Sequence, residues 1–290
     1  MSAIGPYLYI LPALLLVSIM LLLPVFFTLG ISFTKWDLLS DPQWVGFAQY
    51  QKVFQSSKFL TSLGNTLLWT VGTMLVPVLL GLLLAVALDR VAGERIYKFM
   101  IYLPRVLAPT VLGVIWSFIY ARDGLLNEAL RLIGLEDLAR SWLLMPPVNT
   151  FAMIGTFTWA ITGINMILFL VGLQTISKEI VEAAKIEGAS EWKIFTHIKL
   201  PLLGPITTIV VTMSVIGSFT TFDLVWVMTK GGPYGSSETL AVTMYNESFN
   251  LFHVGTGAAI AIVLSLCTLG FSILYLRTVF KRERAREQTS

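Results

Sequence analysis

Two apolar stretches of this chain carry polar side chains at helical spacing. Thr158, Thr162 and Asn165 stand at i, i+4 and i+7 in the first, and Ser214, Ser218 and Thr221 repeat that spacing in the second, so each set shares one helix face. Polar groups in an apolar helix are costly unless they face protein or a water-filled path. Hydroxyls and an amide suit a neutral polyhydroxylated ligand, and Phe157, Trp159, Phe222 and Trp226 offer ring faces for stacking. The competing reading is packing, because Ser and Thr also join helices within membranes, for less than about 2 kcal/mol each. Asp223 is the only carboxylate of its stretch. It either pairs with Lys230 or a neighbouring subunit, or it contacts a ligand.

Bond-making chemistry has less support. The single cysteine, Cys267, lies in the middle of the last apolar stretch, where a small buried hydrophobe is the expected role, and an intrachain disulfide is excluded. His197 and His253 have no ligand cluster around them in sequence, so no metal site is expected. Neither the G-x-x-x-x-G-K-[ST] pattern nor a dinucleotide fingerprint occurs. The chain is therefore not expected to bind or hydrolyse nucleotide by itself.

The elements that position these residues follow from composition. With 290 residues, 56% hydrophobic and 13% charged, and a mean hydropathy of +0.77, the chain is too apolar for a soluble domain of its size. About 20 apolar residues in helical form cross a bilayer core. Six stretches qualify, near Tyr7 to Ile31, Leu67 to Leu88, Phe99 to Tyr120, Phe151 to Leu173, Leu202 to Met228 and Thr256 to Leu276. Pro104, Arg105 and Pro109 crowd the start of the third. Lipid offers no partner to unpaired backbone groups, and the alternation of a membrane barrel is missing, so the expected fold is an all-α membrane protein of six transmembrane helices. No Lys or Arg precedes Lys35, and the first stretch is longer than a signal-peptide core, so it reads as a retained helix.

Charge counting orients the bundle. With the N-terminus cytoplasmic, twelve Lys and Arg fall inside, namely Arg90, Arg95, Lys98, Lys178, Lys185, Lys193, Lys199, Arg277, Lys281, Arg282, Arg284 and Arg286, against seven in the outer connections. Both termini are expected inside. The net charge of +3 thus reports topology, not a nucleic-acid surface.

Between the fourth and fifth stretches, on the inner side, runs a polar connection of nearly thirty residues from Gln174. Ser177 reads as an N-cap with Glu179 in the first turn, and Ile180, Ala183, Ala184 and Ile186 supply an apolar face. Gly188 ends that helix. A second short helix from Ser190 to Lys199 presents Trp192, Phe195 and Ile198 before Pro201 stops it. Outside, the amphipathic stretch Leu125 to Arg140 suits an interfacial helix, and Gly231-Gly232-Pro233 must turn.

The pattern Glu182-Ala183-Ala184-x-x-Glu187-Gly188-Ala189, followed by Phe195, Ile198, Leu200-Pro201 and Pro205, resembles the EAA motif of membrane subunits of binding-protein-dependent ABC importers. Glu187 stands where that family more often has Asp, which keeps the charge. Trp44-Val45-Gly46-Phe47, Tyr50, Asn65-Thr66, Leu103-Pro104 and the run from Phe219 to Phe249 look like its carbohydrate-uptake branch. The basic segment that often precedes the first helix in that family is missing here.

The resemblance implies a type I importer permease fold, with a first helix and extracytoplasmic segment over 1–60, a permease domain over 61–277, and a basic cytoplasmic tail over 278–290. It implies that Glu182, Ala183, Ala184, Glu187, Gly188 and Ala189 form a coupling helix that enters a cleft of an ATP-hydrolysing subunit. The partners implied are two ABC ATPase subunits holding ATP and Mg, a second homologous permease subunit, and an extracytoplasmic solute-binding protein. The expected setting is the bacterial inner membrane, and the expected task is ATP-driven import of a sugar-like solute by alternating access. An ion-driven transporter, which would show intramembrane carboxylate or histidine relays, and a non-transporting scaffold are the alternatives.

Overall fold

The structure is a computed structural model that describes residues 5–89, 91, 93–219 and 221–287. Arg90, one of the residues counted for orientation, lies outside the described residues, as do residues 288–290 of the tail and the side chains of Lys281, Arg282, Arg284 and Arg286.

In chain order, α1 (Gly5–Val17) continues through a π turn (Ser18–Leu22) into α2 (Leu23–Ile31), followed by β1 (Thr34–Lys35), β2 (Gln43–Trp44), α3 (Ala48–Gln55) and α4 (Ser57–Leu88). Next come α5 (Glu94–Tyr102), a 3-10 turn (Leu103–Val106), α6 (Pro109–Ile119), α7 (Leu125–Leu132) and α8 (Val148–Gln174). The cytoplasmic connection holds α9 (Lys178–Ile186), α10 (Glu191–Ile194), a π turn (Phe195–Lys199) and α11 (Leu200–Leu202). The chain ends with α12 (Gly204–Phe219), α13 (Asp223–Thr229), α14 (Leu240–Tyr245) and α15 (Val254–Glu287).

Four continuous helical stretches are long and apolar enough to cross a membrane, at Tyr9–Ile31, Ser57–Leu88, Val148–Gln174 and Val254–Thr278, and two bent pairs bring the number to six. The bends depart from the straight helices expected from hydropathy. In the third span, Glu94–Val106 and Pro109–Ile119 meet at 99°. Leu107 and Ala108 are extended there (ψ 136° and 141°), because the Pro109 ring disfavours helical geometry in the residue before it, while Pro109 itself starts α6.

The fifth span also departs from expectation. Pro201 does not stop the second cytoplasmic helix; it sits in the first turn of α11, and the 67° bend falls instead between Leu202 and Gly204. The expected continuous helix to Met228 breaks after α12 and resumes as α13. The Thr221 carbonyl at this break accepts the Thr239 hydroxyl at 3.1 Å. α15 extends as helix to Glu287, through most of the segment read as a tail.

The chain divides into two compact units. One comprises the residues up to Thr61 with Leu240–Cys267. In it the apolar side chains of the first span, such as Leu14, Leu15 and Phe26, are exposed, as a lipid-facing helix requires. β1 and β2 pair antiparallel (Thr34 with Trp44), and Phe33 stacks on Trp44 at 5.4 Å. Gln49 is buried between the Thr34 carbonyl, to which it donates, and the Thr256 hydroxyl, from which it accepts, both at 3.0 Å. Gly255 permits this: a Cβ there would lie 1.9 Å from the Thr34 oxygen.

The second unit comprises Ser62–Thr239 and the chain from Thr268. Trp69, Met153, Met166, Phe169, Leu203, Val210 and Val225 form its fully buried core. At its outer end Asn127 joins three segments, donating to the carbonyls of Ala121, Arg122 and Arg140 and accepting from Trp142 Nε1 at 2.8 Å. Asn149 donates to the Gly232 carbonyl at 3.0 Å, holding the Gly231-Gly232-Pro233 turn. In that turn Lys230 and Gly231 both have positive φ (51° and 86°).

Candidate functional site

The cytoplasmic element is a helix-turn-helix whose reversal is closed by backbone bonds. The Gly188 amide donates to Lys185 O and the Ala189 amide to Ala184 O, each at 3.0 Å, and Gly188 has φ +78°. This is the paired closure that a left-handed residue makes at a helix C-terminus. Nothing stands within 4 Å of where a Gly188 Cβ would be, so the glycine answers the turn's backbone geometry and faces open space.

Ser177 holds the N-cap position of α9 without a side-chain bond to the helix amides. Its hydroxyl donates to the Glu179 carboxylate, and this bond holds the Glu179 carboxyl below its usual pKa. Ser190 caps α10 by accepting from the Lys193 amide at 3.4 Å.

The apolar face that packs inward differs from the one read from the sequence. Val181 and Ile194 are the buried anchors of the element, whereas Ile186 is 88% exposed and Trp192 72% exposed. Glu182, Ala183, Glu187 and Gly188 are exposed and Ala184 and Ala189 half-buried. Beneath them, α8 and α12 approach closely, since a Cβ on Gly172 would lie 2.8 Å from Leu203 and Ile206 side-chain atoms. The element therefore presents small residues, carboxylates and the large apolar side chains of Ile180, Ile186 and Trp192 outward. Val181 was not among the face residues read from the sequence, because helical spacing does not say which side of a short amphipathic helix is covered.

Within the membrane the two polar stripes are buried in this unit. Thr158, Thr162, Asn165, Ser214, Ser218 and Thr221 are all buried. Thr162 donates to the Thr158 carbonyl at 2.7 Å and Thr221 to the Gly217 carbonyl at 2.9 Å, whereas Ser218 reaches across to Thr70 Oγ1 at 2.9 Å. Thr158 Oγ1 and Asn165 Nδ2 are buried without a hydrogen-bond partner. Asn165 lies against α4, where a Cβ on Gly81 would come within 2.6 Å of its own.

A cleft of about 150 Å³ opens at the two helix breaks. Arg105, Phe157, Ile161, Thr221, Phe222 and Asp223 contribute to its wall, so Thr221 is the single stripe residue there. Phe157 also meets Trp69 edge-on at 5.7 Å, and Phe222 stacks on Trp226 at 5.5 Å, which fixes both rings. Trp159 instead packs on Trp116 at 5.5 Å. Asp223 makes no ion pair with Lys230 among the described residues. Arg105 went unnoticed as a site residue in the sequence, where it and its neighbouring prolines stood out only as crowding the start of the third span. The cleft thus combines a guanidinium, a carboxylate, a hydroxyl and two aromatic rings, a set able to donate to, accept from and stack on a polar organic ligand.

Comparison with known proteins agrees with this architecture. The chain is 35% identical over 285 residues to the osmoprotective compounds uptake permease protein of Synechocystis, covering 96% of this chain and all of the relative. It is 33% identical over 278 residues to the arabinooligosaccharides transport system permease protein of Bacillus subtilis, covering 94% and 88% of the two chains. Its fold matches a chain in the crystal structure of a bacterial alginate ABC transporter in complex with an alginate pentasaccharide-bound periplasmic protein, with a TM-score of 0.82, 20% identity, and coverage of 93% and 91%. The family described as binding-protein-dependent transport system inner membrane component matches residues 77–284. Four continuous spans, two bent ones and the helix-turn-helix between the fourth and fifth accord with that match: the chain belongs to this family and is the permease subunit of a binding-protein-dependent ABC importer.

Proposed function

We propose that this permease imports a sugar or sugar-like solute through the cleft at the two helix breaks, driven by ATP hydrolysed on partner subunits that dock on α9 and α10. The observation that carries the coupling reading is the outward display of Glu182, Ile186, Glu187 and Gly188 on an element whose inner side is anchored by Val181 and Ile194. Exposed Ile186 and Trp192 are what a partner would cover, and the two carboxylates can meet its basic groups.

Two ATPase subunits, holding ATP and Mg, a second homologous permease subunit and an extracytoplasmic binding protein complete the machine in this reading. The family description places the chain in the inner membrane, and the excess of Lys and Arg in alternate connections supports both termini being cytoplasmic. Relatives named for arabinooligosaccharides and for osmoprotective compounds support the solute class. The cleft's aromatic rings with an acceptor and a donor match vicinal hydroxyls. The buried stripes are read as the packing polar groups of the bundle in this conformation, with Thr158 and Asn165 free to meet solute or water when the helices rock.

Gly188→Val tests coupling in the assembled complex. Expected is ATP hydrolysis that continues while solute uptake collapses, with membrane insertion intact. Uptake equal to wild type in this variant would remove the coupling role.

A further inference from the structure

We infer that Asp89 and Lys199 are a pair of positioning residues that carry movement of the cytoplasmic helix-turn-helix into α4. The inference rests on the coupling reading of α9 and α10 and adds a route by which a membrane helix that does not adjoin them in sequence is driven.

Asp89 stands one residue beyond the end of α4, and Lys199 is the last residue of the π turn that leads from α10 toward α12. Lys199 Nζ lies 3.6 Å from Asp89 Oδ2, with the two side chains only 13% and 22% exposed. The pair crosses the wall of a cavity of about 660 Å³ on the cytoplasmic side, to which Glu94, Gln174, Glu182 and Lys185 also contribute. Neighbouring charges have local partners: Lys98 binds Glu94 four residues away at 2.9 Å, and Lys185 binds Glu191 within the helix-turn-helix at 2.5 Å. Lys199 and Asp89 bind across the chain instead.

The element is covalently joined to α8 and α12, and those two meet where a Cβ on Gly172 would lie 2.8 Å from Leu203 and Ile206; Val181 and Ile194 are its buried side chains. An electrostatic link is what adds α4. At 3.6 Å beside this cavity, the lysine's flexible stem lets the contact stretch and re-form without a packing penalty, whereas partial burial protects it from the screening that weakens fully exposed pairs. α4 in turn carries Thr70, bonded by Ser218, and Gly81, crossed by Asn165, so its displacement reaches both helices that bear the polar stripes.

The test uses the complete importer in proteoliposomes, with transported solute counted per ATP hydrolysed. Asp89→Asn and Lys199→Gln are expected to lower that ratio roughly fivefold, in the range of couplings between linked sites, while ATP hydrolysis and thermal stability stay near wild type. Lys199→Arg should keep the ratio, and the exchange Asp89→Lys with Lys199→Asp should restore it. An unchanged ratio in both neutralised variants would overturn the inference, as would an exchanged pair no better than either single change. If a neutralised variant fails to assemble, the exchanged pair decides alone: recovery of assembly without recovery of the ratio makes the contact structural only. Gly188→Val is run in parallel. If it leaves uptake coupled, the coupling reading itself fails; if it uncouples while the neutralised variants do not, only the role of this pair is lost.

Discussion

Ser218 Oγ donates to Thr70 Oγ1 at 2.9 Å, and Thr70 passes its own proton to the Thr66 carbonyl at 2.8 Å, so a residue of α12 and a residue of α4 share one buried hydrogen-bond chain. Both side chains are buried, Ser218 completely. The contact joins helices in the membrane interior, where such bonds contribute about 0.6 kcal/mol on average.

Ser218→Ala should therefore lower the stability of the solubilised complex by about 1 kcal/mol or less and leave solute-stimulated ATP hydrolysis close to wild type. Ser218→Leu must force a larger side chain into a closed site and should cost about 1–3 kcal/mol. Thermal unfolding and ATPase assays on the same preparations check this. Lost solute stimulation in the alanine variant at unchanged stability would assign Ser218 to the solute path instead.

Gly81→Ala places a methyl group 2.6 Å from the Asn165 Cβ and 3.0 Å from backbone atoms of residues 165 and 166. Backbone cannot yield as a flexible side-chain tip does, so α4 and α8 must separate. A destabilisation of about 1–3 kcal/mol is expected, seen as an earlier melting transition. Gly64→Ala, where nothing lies within 4 Å, is the control on the same helix and should melt near wild type.

The cleft residues should act on solute handling with little effect on folding. Asp223→Asn and Thr221→Val keep the side-chain volume of groups that line the cleft. Each removes a hydrogen-bonding capacity worth about 1–2 kcal/mol when directed at a ligand, which appears as a roughly fivefold to thirtyfold rise in the solute concentration for half-maximal transport. Transport curves identical to wild type for both variants would exclude the cleft as the solute site.

The Asp37 carboxylate accepts from the amides of Leu39 and Ser40 at 3.1 and 2.8 Å and from the Ser40 hydroxyl at 2.7 Å, and the backbone bond to Ser40 leads in holding its pKa below the ordinary 3.8. These bonds are stronger to the ionised form. A depressed folded-state pKa means the turn's added stability is present above the ordinary value and is lost as pH falls through the lower, folded one. Acidification below 3.8 should thus loosen the turn, reported by the fluorescence of neighbouring Trp36 against a background in which the other tryptophans are replaced by Phe. Asp37→Ala should abolish the acid-dependent change; its persistence would assign that change to another group.

The helix-turn-helix was legible in sequence because its determinants are local. A glycine at the reversal and alanines beside it act within a few residues, and Gly188 makes in the structure the turn its type allows. Ser177 stands at the N-cap position of α9 as its type and spacing suggest, but its hydroxyl donates to Glu179 and accepts no helix amide, a choice of rotamer that spacing does not carry. The polar stripes were legible as faces, but not in their surroundings. Periodicity says which residues share a face and is silent on which neighbour meets it, and here the face of Thr158, Thr162 and Asn165 meets protein, while the cleft forms around residues of three separated segments.

By itself the sequence determined that the chain spans a membrane as helices, where its polar interruption lies and, through the EAA-like spacing, what kind of machine it joins; these depend on composition and on contacts a few residues apart. Only the tertiary structure decided that the third and fifth spans are bent, that Arg105 and Asp223 share a cleft with Phe157, and that Lys199 reaches Asp89. Those outcomes depend on how helices distant in the chain pack, and packing is set by the joint fit of side chains from every helix at once, which no local pattern carries.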